Sequence, residues 1–181
     1  MDDKLNLLRT KLRNFKKAAI AFSGGIDSTF LASIASEFFR DSMLLITATS
    51  RAFPFYELDR AKTIARNLRL RQIVFLSDEI NLNRYTESQP SRCLYCSTDL
   101  FRQIKLIAGT KGYEVVMDGS NFDDLRNFRE RIAIVNEFGV ISPLAESGLT
   151  KNEILFHSRN LRLPASDKQP KSCFCTNIPF W

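Results

Sequence analysis

One stretch of the sequence decides the fold: Ala19-Ile20-Ala21-Phe22-Ser23-Gly24-Gly25-Ile26-Asp27-Ser28. It begins inside a short apolar run, Lys17 to Phe22, that is typical of a buried β-strand. The segment that follows, Ser28 to Phe39, carries apolar residues at helical spacing. Strand, glycine turn and helix therefore follow one another directly, as in the opening unit of an α/β fold.

The same alternation continues on both sides of this unit. Strands are predicted at Met43 to Thr49, Gln72 to Leu76 and Tyr113 to Met117, and helices at Lys4 to Lys17, Tyr56 to Leu68, Ser97 to Gly109 and Thr150 to Asn160. The last helix begins at Thr150-Lys151-Asn152-Glu153, which matches a capping box. Short apolar strands that alternate with amphipathic helices indicate a parallel sheet covered on both faces. We predict a three-layer α/β/α fold with a mostly parallel, doubly wound sheet. The segment Ser77 to Arg92 is polar, and the end of the chain, Leu161 to Trp181, is predicted to be a loop.

The turn after the first strand has the residues that bind phosphate. Gly24 and Gly25 let the backbone approach an anion, the following helix offers free N–H groups, and Ser23 and Ser28 add hydroxyls. A Walker lysine is missing, which disfavours transfer of a γ-phosphoryl group. The turn resembles the SGGxDS loop of the ATP pyrophosphatase superfamily, whose fold is adenine nucleotide alpha hydrolase-like. That resemblance implies that the loop binds ATP and that Asp27 organises either a Mg²⁺ ion or the loop itself. The alternative is a structural Ser/Gly turn in which Asp27 only caps the helix.

Polar residues follow the last predicted strand. Asp118, Asn121, Asp123 and Asp124 stand at the carboxyl end of Tyr113 to Met117, the edge of a parallel sheet at which ligands bind. They are candidates to contact ATP, Mg²⁺ or the ribose of a substrate. A turn-forming polar loop is the alternative. The lone histidine, His157, lies in a predicted helix and is interpreted as a surface or packing residue.

Four cysteines form two close pairs, Cys93 with Cys96 and Cys173 with Cys175. In a reducing compartment such pairs indicate metal, cluster or sulfur chemistry before structural disulfides. The spacing of Cys93 and Cys96 suits a shared zinc ion, an iron-sulfur cluster or an unmetallated pair equally well.

The composition restricts the partners. A net charge of +6 suits a polyanion, but the basic residues are spread along the predicted helices, so RNA binding is an alternative that we do not favour. No apolar run is long enough to span a bilayer, and Met1 to Lys4 lacks the order of a secretion signal. We expect a cytoplasmic protein without a membrane partner, and a homo-oligomer is compatible with the sequence.

A wider set of motifs resembles the LarE family of ATP-dependent sacrificial sulfur transferases. After the Ser23 to Ser28 loop it comprises Arg92-Cys93-Leu94-Tyr95-Cys96, Asp118-Gly119-Ser120-Asn121-Phe122-Asp123-Asp124, Ser142-Pro143-Leu144 and Gly148-Leu149-Thr150-Lys151-Asn152-Glu153-Ile154. The specific feature is the order of these pieces, and the resemblance extends from Phe15 to Phe180.

The resemblance implies a reaction and a substrate. The carboxylate of a pyridinium mononucleotide, a small nucleotide-like molecule, would be adenylated with release of pyrophosphate, as in the synthesis of the nickel-pincer cofactor. The Cys173 thiolate would then displace AMP and give up its sulfur. Some related sulfur-transfer enzymes instead hold an iron-sulfur cluster on three cysteines, which would be Cys93, Cys96 and Cys173 here. The alternatives are a tRNA thiolation enzyme and a non-catalytic adenine nucleotide-binding module.

The chain departs from the family pattern at four points. Ser97 replaces a lysine, Asn177 replaces an arginine after the reactive cysteine, Cys175 is additional, and the chain ends at Trp181 where family members continue. We expect residues 1–181 to form a single domain with a reactive-cysteine loop at about 161–181 and without the family's further C-terminal region. Loss of the arginine is expected to weaken phosphate binding.

Overall fold

The computed structural model describes the backbone of residues 2–50, 55–77, 89–127 and 129–164, and the side chains of these except 89–96 and 126–132. The described α-helices are α1 (Asp2–Arg13), α2 (Ile26–Phe39), α3 (Phe55–Asn67), α4 (Gln89–Thr110), α5 (Phe122–Asn127), α6 (Arg129–Glu137), α7 (Pro143–Glu146) and α8 (Lys151–Asn160), and a short 3-10 helix, Arg40–Ser42, follows α2. The described strands are β1 (Ala18–Ala21), β2 (Met43–Thr49), β3 (Arg71–Leu76) and β4 (Val115–Met117).

The four strands form one parallel sheet in the order β3-β2-β1-β4. Ala18 of β1 stands opposite Met43 on one side and Val115 on the other. A single parallel bridge from Met117 to Ile141 continues the sheet beyond β4. The chain thus winds outward in both directions from β1, which confirms the predicted doubly wound arrangement.

Side chains of β1 alternate between two separate cores. Ala18 and Ile20 are buried with residues of α1, α2 and α3, whereas Ala19 is buried with residues of α4 and α6. Successive residues of a strand point to opposite faces, so a strand that is apolar throughout requires cover on both sides. Helices on both faces confirm the predicted three-layer fold.

The structure corrects several predicted boundaries. Helix α4 begins at Gln89 and not at Ser97, so it includes Cys93 and Cys96, which lie before the predicted start. Pro90 lies in its first turn, where a proline costs no helical hydrogen bond, and the polar residues around it hide the helix from a search for apolar periodicity. Helix α1 ends at Arg13, before Lys17. The short helices α5, α6 and α7 have no counterpart among the predicted elements, and residues 165–181 of the predicted C-terminal loop lie outside the described residues.

Helix α8 starts at the predicted capping box. The Thr150 hydroxyl accepts a hydrogen bond from the backbone N–H of Glu153, and the Glu153 carboxylate accepts one from the backbone N–H of Thr150 at 2.9 Å. Both Glu153 oxygens also accept from the Lys4 ammonium at 2.9 Å, which ties α8 to α1. Burial alone raises the pKa of the Glu153 carboxyl, but hydrogen bonds from Thr150 and Lys4 outweigh it and lower the pKa to about 2.

His157 is buried in α8, as expected of a packing residue. Its ring stacks on Phe30 of α2 with 6.1 Å between the ring centroids and meets Phe156 edge-on. Burial lowers the pKa of this imidazole, because an apolar environment disfavours the charged ring. Within the described ranges, every helix is too short or too polar to cross a bilayer.

Candidate functional site

The glycine loop joins β1 to α2 at the carboxyl end of an interior strand. Gly24 has a φ of +70°, and a Cβ at this position would lie 2.8 Å from the Cα of Ala61 on α3. Only glycine meets both conditions, because other residues are strained at this φ and would collide with the helix. The close packing of Gly24 on α3 therefore fixes the position of the loop relative to the sheet.

Hydrogen bonds within the loop hold its shape. The Ser23 hydroxyl accepts from the backbone N–H of Gly25 at 3.1 Å and lies 3.2 Å from the Ser28 hydroxyl, which donates to the Gly25 carbonyl. Gly25 is the N-cap of α2, and among the described side chains none caps this helix end. The alternative interpretation, in which Asp27 merely caps the helix, does not describe this geometry. The first turn of this 14-residue helix carries backbone N–H groups without an intrahelical acceptor, the feature by which a helix N-terminus binds an anion.

Asp27 is turned toward α8 and α5. Its Oδ2 accepts a hydrogen bond from the Lys151 ammonium, and its Oδ1 lies 3.4 Å from the Asn121 side-chain nitrogen. The side chains of Asp27 and Lys151 are 22% and 23% exposed, so the pair is partly buried and still reachable from solvent. The structure therefore brings a cation to the glycine loop.

Lys151 has no site role in the sequence-based prediction, where it belongs to a capping box and to one of the motifs that resemble the LarE family. One signal points to it. A positive side chain in the first turn of a helix is disfavoured by the helix dipole, so a lysine directly after the N-cap indicates a nearby anion. The anion is Asp27, 124 positions away in the sequence.

Asn121, Asp123 and Asp124 fix the start of α5 and its contact with α8. The Asn121 side-chain oxygen accepts from the backbone N–H groups of Asp123 and Asp124, and Asp124 accepts in return from the backbone of Asn121 at 3.0 Å. Asp123 accepts from the backbone N–H of Lys151 at 2.8 Å. These three predicted site residues lie together beside Asp27, held by the hydrogen bonds of two helix ends.

Asp118 lies deeper than the other predicted site residues. It is 1% exposed and accepts hydrogen bonds from the hydroxyls of Ser120 at 2.5 Å and Ser142 at 2.6 Å. The next residue, Gly119, packs so tightly on α2 that a Cβ would lie 2.8 Å from the backbone nitrogen of Ser28. Asp118 thus holds the segment that packs Gly119 on the glycine loop; contact with ATP or Mg²⁺ stays a prediction.

A second cation unforeseen in the sequence contacts the loop from α3. Arg60 donates to the Gly24 carbonyl at 3.0 Å and forms an ion pair with Glu57, one turn earlier on the same helix. Charges of both signs therefore surround the loop, with Arg60 and Glu57 on one side and Lys151 and Asp27 on the other.

The cysteines are only partly located. Cys93 and Cys96 lie three residues apart on α4, a spacing that places two positions on one helix face. Cys173 and Cys175 lie outside the described residues. In the part of the chain that the structure describes, no group of three or more His, Cys, Asp or Glu side chains is placed to hold a metal ion.

The parallel sheet, the glycine loop at the carboxyl end of β1 and the helix end beside it define an ATP-binding α/β protein of the pyrophosphatase-loop class. The chain belongs to the asparagine synthase family, whose model matches residues 7–120.

Two curated relatives extend over nearly the whole chain. Uncharacterized protein slr1717 of Synechocystis is 33% identical over 180 residues, which is 99% of this chain and 67% of the relative. The pyridinium-3,5-bisthiocarboxylic acid mononucleotide synthase of Lactiplantibacillus plantarum is 25% identical over 170 residues, 93% of this chain and 62% of the synthase. The second match confirms the predicted resemblance to the LarE family. The chain spans about two thirds of the length of these relatives.

Solved structures share the fold at low sequence identity. An NH3-dependent NAD synthetase from Campylobacter jejuni matches with a TM-score of 0.68 and 16% identity, over 90% of this chain and 72% of the synthetase. The U34-tRNA thiolase NcsA from Methanococcus maripaludis, described with its [4Fe-4S] cluster, matches with a TM-score of 0.66 and 17% identity, over 97% of this chain and 71% of the thiolase. Both confirm the adenine nucleotide alpha hydrolase-like fold.

Proposed function

We propose that this chain is an ATP-dependent sulfurtransferase that adenylates the carboxylate of a small nucleotide-like substrate and then introduces sulfur through Cys173. The observation that carries the proposal is the glycine loop between β1 and α2, with Lys151 paired to Asp27 beside it. The similarity to the Lactiplantibacillus synthase supports a pyridinium mononucleotide as the substrate.

In this proposal the ATP phosphates bind at the start of α2. Backbone N–H groups of the first turn and the Ser23 and Ser28 hydroxyls donate to the pyrophosphate end, as expected at a helix N-terminus. Lys151 lies beside the loop and offsets the negative charge that develops on the departing pyrophosphate. Asp27, whose carboxylate Lys151 contacts in this structure, would hold Mg²⁺, since this ion usually takes one or two protein carboxylates and completes its shell with phosphates and water.

The proposed first step is an exchange at the α-phosphorus of ATP. A substrate carboxylate oxygen attacks this atom, the bond to the β-phosphate bridging oxygen breaks, and pyrophosphate leaves with its electrons. The product is an acyl adenylate, in which a poor electrophile has acquired a good leaving group. The absence of a Walker lysine in the loop agrees with attack at the α- and not the γ-phosphorus.

The proposed second step moves sulfur from the protein to the substrate. The Cys173 thiolate attacks the acyl carbon and releases AMP, which leaves a thioester. Removal of the Cys173 α-proton then breaks the bond between Cβ and sulfur, so that the substrate keeps a thiocarboxylate and the protein keeps dehydroalanine. Lys171 is close in sequence and is proposed to favour the thiolate. We further propose that residues 1–181 act as one domain with this loop at about 161–181.

One observation favours a second candidate, a tRNA thiolation enzyme. The tRNA thiolase NcsA covers 97% of this chain and has a [4Fe-4S] cluster. Here Cys93 and Cys96 share a helix face, and Cys173 would be the third ligand of such a cluster. In that case the sulfur would come from outside the chain and Cys173 would survive the reaction. The net charge of +6 would serve RNA binding.

Intact-protein mass spectrometry separates these functions. Protein purified without oxygen is measured before and after incubation with ATP, Mg²⁺ and the pyridinium carboxylate mononucleotide, with Cys173→Ala and Cys175→Ala measured alongside. We expect a loss of about one hydrogen sulfide per chain, absent in Cys173→Ala and retained in Cys175→Ala, together with pyrophosphate.

Other outcomes of this experiment are equally informative. Pyrophosphate without a mass change would leave adenylation standing and reject the sacrificial route. If the chain binds ATP but releases no pyrophosphate with either the mononucleotide or tRNA present, it is a non-catalytic nucleotide-binding module. Pyrophosphate that forms only with tRNA would favour the thiolation enzyme.

A further inference from the structure

The peptide group between Gly24 and Gly25 is held at both of its polar atoms. Its carbonyl, which belongs to Gly24, accepts a hydrogen bond from Arg60 Nη2 at 3.0 Å. Its N–H, which belongs to Gly25, donates to the Ser23 hydroxyl at 3.1 Å. A residue of α3 and a residue of the loop therefore fix the orientation of a single peptide plane.

This peptide needs such support because it joins two glycines. Gly24 has a φ of +70° and Gly25 a φ of −72°. Glycine populates positive and negative φ about equally, so a Gly-Gly peptide can rotate by half a turn without a steric penalty. Rotation would turn the Gly25 N–H away from the Ser23 hydroxyl and bring the Gly24 carbonyl oxygen toward it. The Ser23 hydroxyl would then donate to this carbonyl and no longer to the phosphate for which we propose it.

The Arg60 side chain is itself held in place. Glu57 accepts from the same Nη2 atom at 3.0 Å, and the two side chains are only 24% and 14% exposed. Arg60 Nε is buried with no hydrogen-bond partner in the described part of the chain, a cost that the guanidinium contact to the loop must offset. The neighbouring residue Ala61 forms the surface on which Gly24 packs. Helix α3 thus supports the loop through two adjacent residues.

We infer that Arg60 is a positioning residue of the nucleotide site, which locks the Gly24–Gly25 peptide in the orientation that accepts ATP phosphates. The inference rests on the proposed function, since it concerns the same loop. We assign Arg60 to act through the peptide, because its guanidinium contacts the Gly24 carbonyl and Glu57. Its loss is expected to weaken ATP binding more than it weakens the fold.

The test compares Arg60→Met and Arg60→Lys with Arg66→Met. Arg66 is exposed on the same helix, so Arg66→Met removes the same charge without touching the loop. The dissociation constant for MgATP is measured by calorimetry on the intact chain, and the melting temperature on the same samples. We expect Arg60→Met to weaken ATP binding about 10- to 100-fold, as for loss of a charged hydrogen bond, Arg60→Lys to recover part of this, and Arg66→Met to match wild type.

A spectroscopic readout separates positioning from a merely structural role. In ¹⁵N-labelled protein, Arg60→Met should broaden or shift the Gly25 amide resonance and speed its hydrogen exchange, while resonances of β2 and α8 keep their positions. A folded Arg60→Met protein with wild-type ATP affinity and an unchanged Gly25 signal would overturn the inference. If Arg60→Met does not fold, Arg60→Lys decides the question. Weaker ATP binding together with faster Gly25 exchange supports the inference, and wild-type affinity or an unchanged Gly25 signal overturns it.

The inference and the proposed function fail in different ways. If wild type and Arg66→Met both bind no ATP, the proposed function is wrong and the role of Arg60 falls with it. If they bind ATP and Arg60→Met binds it equally well, the proposed function stands and only the inference is rejected.

Discussion

The Lys151 ammonium donates to the Asp27 carboxylate across 124 positions of sequence, and this contact joins the start of α8 to the start of α2. Both residues stand in the first turn of their helices, where a backbone partial positive charge favours Asp27 and disfavours Lys151. The ion pair with Asp27 offsets the unfavourable interaction between Lys151 and its helix N-terminus. It also holds a cation next to the loop that we propose binds the ATP phosphates.

Replacement of Lys151 should impair the reaction more than the fold. We expect Lys151→Met to lower kcat/KM for pyrophosphate release by about 10²- to 10³-fold, the usual cost of removing a group that stabilises developing charge. Pyrophosphate is measured with ATP, Mg²⁺ and the pyridinium carboxylate. Arg159→Met is the matched control, because Arg159 is exposed on the same helix. Equal activity of Lys151→Met and wild type would limit Lys151 to a structural ion pair.

Gly119→Ala should displace the glycine loop, because Gly119 packs against the backbone of Ser28. A methyl group at Gly119 would lie 2.8 Å from the nitrogen and 3.0 Å from the Cα of Ser28, both backbone atoms that cannot move aside without moving α2. We expect a loss of about 1–3 kcal/mol in the free energy of unfolding, typical of overpacking, and weaker ATP binding. Urea unfolding and calorimetry provide the two measurements.

Gly109→Ala is the control for that substitution. Gly109 lies in α4, and a Cβ there would meet nothing within 4 Å. Alanine is the better helix former, so this variant should be up to about 1 kcal/mol more stable than wild type and should bind ATP normally. A Gly119→Ala protein as stable as Gly109→Ala would contradict the packing described for Gly119.

The Glu153 carboxylate should stabilise the folded chain near neutral pH and lose this contribution in acid. Its pKa is about 2 in the folded chain against an ordinary value of 4.5, so the folded state favours the carboxylate. The contribution is complete above about pH 4.5 and is lost as the pH falls toward about 2, because the unfolded chain takes up the proton first.

Glu153→Gln measures this contribution. A glutamine preserves the shape of the capping box but not the charge that Lys4 contacts. Near neutral pH the variant should be less stable by about 1 kcal/mol, since the Lys4 side chain is 40% exposed and solvent screens the pair. The difference between wild type and variant, from urea unfolding at a series of pH values, should shrink toward zero at low pH. A constant difference would show that the charge of Glu153 is not what stabilises α8.

His157 should make stability fall at mildly acid pH. Burial lowers the pKa of its imidazole below the ordinary 6.5, so the unfolded chain binds the proton more readily. The stabilisation is therefore full above about pH 6.5 and declines as the pH falls below it, by at most about 1.4 kcal/mol per pH unit for one proton. Replacing the ring by His157→Phe should remove this slope between about pH 7 and about pH 5. An unchanged slope in the variant would assign the pH dependence to other groups.

Local sequence determined the strands, the long helices and the loop, but not the short helices α5, α6 and α7. Runs of apolar residues identify β1 and β2, because a strand covered on both faces must be apolar throughout, and Gly24 and Gly25 between strand and helix identify a phosphate loop. The capping box at Thr150 marks the start of α8 to the residue. The start of α4 was predicted eight residues too late, since its first two turns have a polar composition and a proline that apolar periodicity does not recognise.

The tertiary structure alone decided which side chains surround that loop. The order β3-β2-β1-β4 brings the ends of β1 and β4 together, so that Asp27 meets Asn121 and Lys151, and α3 brings Arg60 to the Gly24 carbonyl. Hydrophobic periodicity reports only which face of a segment is buried and carries no information on which segments become neighbours. Contacts across 36, 94 and 124 positions follow from the packing of whole helices on the sheet, which no local pattern records.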